Sequence, residues 1–309
     1  MPFRSLGQGK LYRIAFLAPD SQKADADPFL QAMTDGLREK GYVVGKNLQL
    51  DIRYAAGRYE RMPEIATELV GSRPDVLMSV GTPGVVSLKN ATRSIPIVMV
   101  ASGDALATGL VANLASSGNN ITGATFFGKE LMIKRLQLLR DVVPEMQRMA
   151  VLVNPANQTT ESNMRAMQES AKSLKLELRA FDVREAKDIP VAFEAMRKGK
   201  VQALAVFEEA ALYANAKTIA ELALQQRLPA AAFTEFADRG GLIGYGVNFA
   251  EMFRRAAYFV DKIIKGEAPS KIPIERPTKF DLVLNMKTAR DLNLRLPQAI
   301  LGSANRVIE

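Results

Sequence analysis

The sequence predicts an α/β protein made of two similar lobes, each a parallel sheet covered by helices on both faces. Two observations carry this reading. Short apolar runs alternate with amphipathic helical stretches along the chain, the alternation that yields parallel sheets. The same order of elements then starts again after residue 148. One large doubly wound sheet is the alternative, and the polar loops that follow strand ends at both Pro19 and Pro155 favour two lobes. The length of 309 residues also suits two domains of roughly 100–200 residues each.

In the first run, residues 11–18 form a buried strand that stops at Pro19. Asp27 is placed to cap a helix with Pro28 in its first turn. Phe29, Leu30, Met33 and Leu37 then share one face until Gly41 ends it. A strand at 48–54, a helix at 63–70, a strand at 75–80, a helix at 83–91 and a strand at 97–101 follow. Residues 116–123, rich in Ser, Asn and Gly, read as a crossing between lobes.

The second run has strands at 149–154, 177–182, 203–207 and 229–232. Helices at 160–174, 189–198 and 211–226 separate them. The glycine cluster from Gly240 to Gly246 closes the run. A long amphipathic helix at 249–265, a Pro-rich stretch from Pro269 to Pro277, a strand at 280–284 and a helix from Met286 complete the chain. This layout places lobe 1 at 11–120 plus 247–275 and lobe 2 at 121–246 plus 276–309. Three crossings join them, and hinge strands of this kind let lobes close on a ligand.

The composition narrows the chemistry. The chain has no Cys and no His. It therefore has no thiolate nucleophile, no zinc–cysteine site, no imidazole metal site and no Ser-His-Asp triad. No cofactor or metal site is expected, and an enzyme is disfavoured. The formal charge of +8 comes from 41 basic and 33 acidic residues, but no basic run exceeds two residues and no aromatics interleave with a basic stripe. A dispersed surface charge is expected rather than a nucleic-acid footprint. No apolar stretch is long enough to span a membrane, and residues 1–10 lack the apolar core of a signal peptide.

In parallel α/β sheets, ligands bind beyond the carboxyl ends of the strands. The first lobe's strand ends carry Ser21, Gln22, Gly81, Thr82, Ser102, Gly103 and Asp104. Hydroxyls and backbone N–H groups there suit a carboxylate. The second lobe's strand ends carry Asn154, Asn157, Glu208 and Thr234, which suit a ligand ammonium, as does Asp104. Thr82 and Ser102 can equally be helix caps, and Asp104 can cap its own turn. Glu209 reads as solvated. Phe126 and Tyr245 flank the crossings and can wall the cleft against an apolar side chain, or belong to the core beside the hinge. The stretch Gly123 to Glu130 nearly matches a phosphate-binding loop, but Glu130 stands where a hydroxyl is needed. Nucleotide binding is not expected there.

A set of stretches also resembles one family. They are YRIAFLAP at 12–19, GLREKGY at 36–42, Gly45-Lys46-Asn47, Gly57-Arg58-Tyr59, Gly81-Thr82-Pro83, Ile95-Pro96-Ile97-Val98, Gly109-Leu110-Val111, Asn120-Ile121-Thr122-Gly123, Asn154-Pro155-Ala156-Asn157, Gly240-Gly241-Leu242 with Tyr245-Gly246, and PTKFDLVLN at 277–285. Taken in this order, from about residue 11 to the end, the chain resembles the tryptophan-binding, TrpX-like group of ABC-transporter substrate-binding proteins.

The resemblance implies a type I periplasmic binding protein: two Rossmann-like lobes joined by three strands and closing on a small ligand. It implies an exported, periplasmic precursor whose signal peptide is absent from this chain, and a permease and ATPase pair as partners. It carries ligand-binding roles onto Ser21, Thr82, Ser102, Asp104, Asn154 and Glu208. One departure stands at the cleft, where relatives often read Gly-Asp-Pro-Val and this chain reads Gly103-Asp104-Ala105-Leu106. The expected function is capture of an amino acid or related small carboxylate with an aromatic or other apolar side chain. The alternatives are the ligand-sensing domain of a transcriptional regulator, which would need a DNA-binding domain ahead of Leu11, and an enzyme using Asp104 or Glu208 as general base.

Overall fold

The structure, a computed structural model, describes residues 10–20 and 27–309. The first run folds as β1 (Tyr12–Ala18), α1 (Pro28–Glu39), β2 (Leu48–Tyr54), α2 (Met62–Gly71), β3 (Val76–Val80), α3 (Thr82–Ala91), β4 (Ile97–Gly103) and β5 (Ile121–Phe126). These strands form one sheet in the order β2-β1-β3-β4-β5, parallel throughout. Alternate residues of β1 enter different cores. Ile14, Phe16 and Ala18 join one cluster and Ala15 and Leu17 another. Both faces are therefore covered, which is why this strand reads as an unbroken apolar run.

The second run comprises α4 (Gly128–Val142), β6 (Arg148–Val153), α5 (Thr160–Ser173), β7 (Glu177–Asp182), α6 (Asp188–Lys198), β8 (Ala203–Val206), α7 (Ala210–Ala214), α8 (Ala216–Gln225), β9 (Ala230–Ala232) and β10 (Ile243–Gly246). The chain returns to the first lobe as α9 (Phe249–Ile264). It ends in the second with β11 (Asp281–Asn285), α10 (Met286–Asp291), α11 (Gln298–Ser303) and β12 (Arg306–Ile308). The second sheet runs β12-β11-β10-β9-β8-β6-β7. Its only antiparallel neighbours among the described strands are β10 and β11.

α9 lies across α1, with the first lobe. A Cβ on Gly36 of α1 would stand 2.5 Å from the Arg254 carbonyl oxygen, so the two helices approach more closely than any larger residue permits. Asp27 accepts the Phe29 N–H at 2.9 Å, with Pro28 opening α1 as its sequence requires.

The structure corrects the first crossing. Residues 121–126 are not lobe 2 but β5, hydrogen-bonded to β4 at the edge of the first sheet. The chain leaves lobe 1 only after Phe126. The strand is masked in the sequence by its two threonines and a mid-strand glycine, all buried. Thr122 donates to the Ile272 carbonyl and Thr125 to the Ser102 carbonyl. Gly123 has φ +126°, and a Cβ there would lie 2.1 Å from the Met99 carbonyl oxygen. The near-match to a phosphate loop thus dissolves into a strand and the start of α4. The helix expected over 211–226 breaks at Asn215, whose side chain donates to the Ala211 carbonyl at 2.8 Å. The segment leading to the third crossing runs beside β5, where Thr125 N–H donates to the Glu275 carbonyl and Glu275 N–H to the Gly123 carbonyl.

Candidate functional site

Each sheet reverses its strand order at one place: between β1 and β3 in lobe 1, and between β6 and β8 in lobe 2. Loops leave such points in opposite directions and open a crevice. Here the two crevices face each other. Lobe 1 brings Pro19, Asp20 and Gly81; lobe 2 brings Asn157, Glu208 and Glu209, and all six line one cavity of about 120 Å³.

The rest of the wall is aromatic. Phe16, Phe29, Tyr54, Tyr59 and Phe126 come from lobe 1, Phe249 and Phe253 from α9, and Tyr213 and Phe233 from lobe 2. Tyr213 bridges the lobes, with its ring 5.3 Å from Phe29 and 4.3 Å from Phe233. Phe126 meets Phe249 edge-on at 5.9 Å. Offset and edge-on arrangements like these suit the ring quadrupoles and leave faces for a further ring. A smaller polar chamber of about 30 Å³ adjoins this cavity. Gly81, Phe126, Asn157, Glu208 and Glu209 belong to both, while Thr82, Gly103 and Asp104 line the chamber alone. The site is therefore elongated, apolar at one end and polar at the other.

At the polar end the charges are unequally matched. Asp104, at φ +36°, caps its own turn by accepting from the Ala107 N–H at 3.2 Å. It also pairs with Lys129 of α4 at 3.4 Å, across the lobes. Glu208 is held by Arg135, a fully buried guanidinium that also donates to the carbonyls of Val206 and Tyr245. Glu209 is different. It is 4% exposed, and its carboxyl accepts from the Tyr59 hydroxyl of lobe 1 at 2.6 Å and from the Asn157 amide. Burial pushes this carboxyl up to about 8, against which the two hydrogen bonds act only in part. Tyr59 is raised as well, by burial first and then by the Glu209 charge. The reading of Glu209 as solvated is corrected. It is the most desolvated acid of the cleft, because the opposing lobe covers it.

The remaining expected residues divide. Thr82 Oγ1 donates to the Gly103 carbonyl and lies 3.2 Å from Ser102 Oγ, so both hydroxyls already have partners. Ser102 is fully buried and lines neither chamber. Asn154 serves its own loop, accepting from the Ala156 N–H, and faces an outer groove instead. Thr234 donates to the Val247 carbonyl beside the second crossing. Tyr245 stacks on Phe280 between the second and third crossings and lines neither chamber. Ser21 and Gln22 lie outside the described residues.

Sequence reasoning missed Tyr59, Phe29, Tyr213, Phe249, Glu209 and Arg135. Only Arg135 left a legible signal. It occupies an apolar-face position of α4 between Leu131, Met132, Leu136 and Leu139, all buried, and a charge there demands a buried partner. Among the described residues, no group of three or more acidic or other metal-ligating side chains is placed to hold a metal. No helix there is long and apolar enough to cross a membrane.

Comparison with known proteins agrees with this architecture. The sequence profile described as "ABC transporter substrate binding protein" matches residues 15–308. The chain is 23% identical over 261 residues to a tyrosine-binding protein of Clostridioides difficile strain R20291, covering 84% of this chain and 74% of that one. A crystal structure of a conserved domain protein from Vibrio cholerae is similar, with TM-score 0.88 and 26% identity. That match covers 96% of this chain and all of the other. An ABC domain from Streptococcus pneumoniae in complex with L-Trp has TM-score 0.85 and 22% identity, with the same coverage. The fold is that of the type I periplasmic binding proteins, built for binding rather than catalysis. The chain belongs to the family of ABC transporter substrate-binding proteins.

Proposed function

We propose that this chain captures an amino acid with an aromatic or other apolar side chain between its lobes and delivers it to an ABC permease and ATPase. The observation that carries this is the cavity at the facing switch points. Nine aromatic rings surround it, and a polar chamber adjoins it. We assign the ligand's ring to the aromatic cavity and its charged groups to the polar end, with Gly81, Thr82 and Gly103 on the carboxylate side and Glu208 and Glu209 on the ammonium side. The tyrosine-binding relative and the L-Trp complex support the same ligand class.

The bodies that close are residues 11–126 with 247–275, and 127–246 with 276–309. Ligand contacts on both of them favour the closed state, and a permease that touches both lobes can read that closure. The same reading puts the protein outside the cytoplasmic membrane, in the periplasm, where an importer's solute-binding component would meet its ligand. A thermal-shift screen of amino acids and small aromatic acids tests the reading. An aromatic amino acid at about 100 times its Kd is expected to stabilise by roughly 2.7 kcal/mol. If no small carboxylate raises Tm, the ligand class is wrong.

A further inference from the structure

Four carboxylates line the aromatic cavity, Asp20, Asp27, Glu208 and Glu209, and among the described residues no lysine or arginine does. The surrounding charges are already committed: Glu208 to Arg135, and Asp104 to Lys129. Asp20 and Asp27 face the cavity from lobe 1 and carry contacts of their own. Glu209 is held only by two uncharged donors, Tyr59 from one lobe and Asn157 from the other. A carboxylate this buried with no cation beside it is costly to keep ionised. Among the described residues, then, no cation faces Glu209, and a cationic group on a ligand can supply one.

We propose that Glu209 is the specificity-determining acceptor for a cationic group on the ligand, and that it surrenders its own proton when that group binds. The O–H bond of the neutral carboxyl breaks, the proton passes to the buffer, and the ligand's ammonium becomes the counter-ion. This deepens the amino-acid reading of the cleft and rests on it for the placement of the ligand. With the lobes in contact, as in this structure, burial biases the ligand-free site toward the neutral acid and pushes the carboxyl up to about 8. Capture of a cation at neutral pH must then release a proton, and affinity must rise with pH until Glu209 is ionised without help. An aromatic acid that lacks an amine would leave Glu209 neutral and gain no ion pair from it, so it would bind less tightly than the amine.

The test is calorimetric titration of L-tryptophan, tryptamine and indole-3-propionate at pH 7 in phosphate and in Tris, which differ in ionisation enthalpy. The expected result is release of about 0.9 proton per bound tryptophan or tryptamine. Their affinity should rise about tenfold from pH 6 to pH 7 and level off above pH 8. Glu209→Gln should abolish the proton release and flatten the pH profile, with affinity for both amines falling at least tenfold. Tyr59→Phe removes a hydrogen bond that favours the ionised carboxyl, so the release should persist with its pH window moved upward; this second variant keeps the test valid if the first folds poorly. Indole-3-propionate binding as tightly as tryptophan, with no proton exchanged, overturns the proposal and leaves the small-carboxylate reading standing. Tryptamine binding with proton release while tryptophan fails to bind supports the proposal and overturns the amino-acid reading. Unchanged proton release in Glu209→Gln overturns the proposal alone, and binding of none of the three overturns both.

Discussion

The two lobes bring carboxylates to the cleft in different settings. Lobe 1 offers Gly81, Thr82 and Gly103, with hydrogen bonds that close within the lobe, beside Asp20, Asp27 and Asp104, the last of which pairs with Lys129 across the lobes. Lobe 2 offers acids, and each acid needs a partner from elsewhere. Glu208 finds one inside its own lobe, in Arg135. Glu209 finds one in its own lobe, the Asn157 amide, and a second across the gap, the Tyr59 hydroxyl. Glu208 is satisfied before the lobes meet, whereas Asp104 and Glu209 each gain a partner from the opposite lobe. Of these, Glu209 alone meets only uncharged donors.

The largest break in this comparison should come from Arg135→Ala. The substitution leaves Glu208 and the carbonyls of Val206 and Tyr245 buried without their donor. Losing one partner of a buried pair typically costs about 3–5 kcal/mol, so a fall in Tm of many degrees is expected in thermal melts. A loss below about 1 kcal/mol would mean Glu208 is sustained by solvent instead.

An intermediate effect is expected from Glu209→Gln in the unliganded protein, and its sign depends on pH. The Glu209 carboxyl is raised from 4.5 to about 8. Its contribution to stability is thus fully present below pH 4.5 and is lost as pH rises through about 8. The glutamine variant does not titrate. It should gain on wild type across this window by on the order of 1–3 kcal/mol and hold the gain above it. Melting curves collected from pH 5 to pH 9 check this, and a gap that narrows with pH would reverse the assignment.

The smallest effect should follow Lys129→Ala. The ammonium is 34% exposed and 3.4 Å from Asp104, and water screens it. A change within about 1 kcal/mol is expected, shrinking further in high salt. Small-angle scattering of the unliganded variant should show at most a slight shift toward open lobes. A large shift would make this pair, rather than the Tyr59–Glu209 hydrogen bond, the main polar contact holding the lobes together.

Much of the scaffold was legible because it is written locally. β1 stops at Pro19, α1 opens on Asp27 and Pro28, and the order of strands and helices repeats in both halves. β5 escaped because threonine and glycine obscure its apolar pattern, and only the Met99 backbone and the Ser102 and Ile272 carbonyls explain them. The site was legible only in part. Gly81, Thr82, Gly103, Asp104, Phe126, Asn157 and Glu208 do meet in the two chambers, as the carboxyl-end rule requires. Asn154, Thr234 and Tyr245 are strand-end or crossing residues of the same kind, but backbone groups engage the Asn154 and Thr234 side chains and the Tyr245 ring stacks on Phe280.

By itself the sequence determined the alternation of elements, the repetition of the lobe and the strand ends that face the cleft. These follow from periodicity, caps and turns, which act over a few residues. Only the tertiary structure decided which residues the cleft contains. Phe29 meets Tyr213, and Tyr59 meets Glu209, across distances in sequence that no local pattern encodes. Burial of Glu209 belongs to neither lobe alone. It exists because two separately folded surfaces exclude water when they meet, and that exclusion turns an ordinary glutamate into a carboxyl raised to about 8.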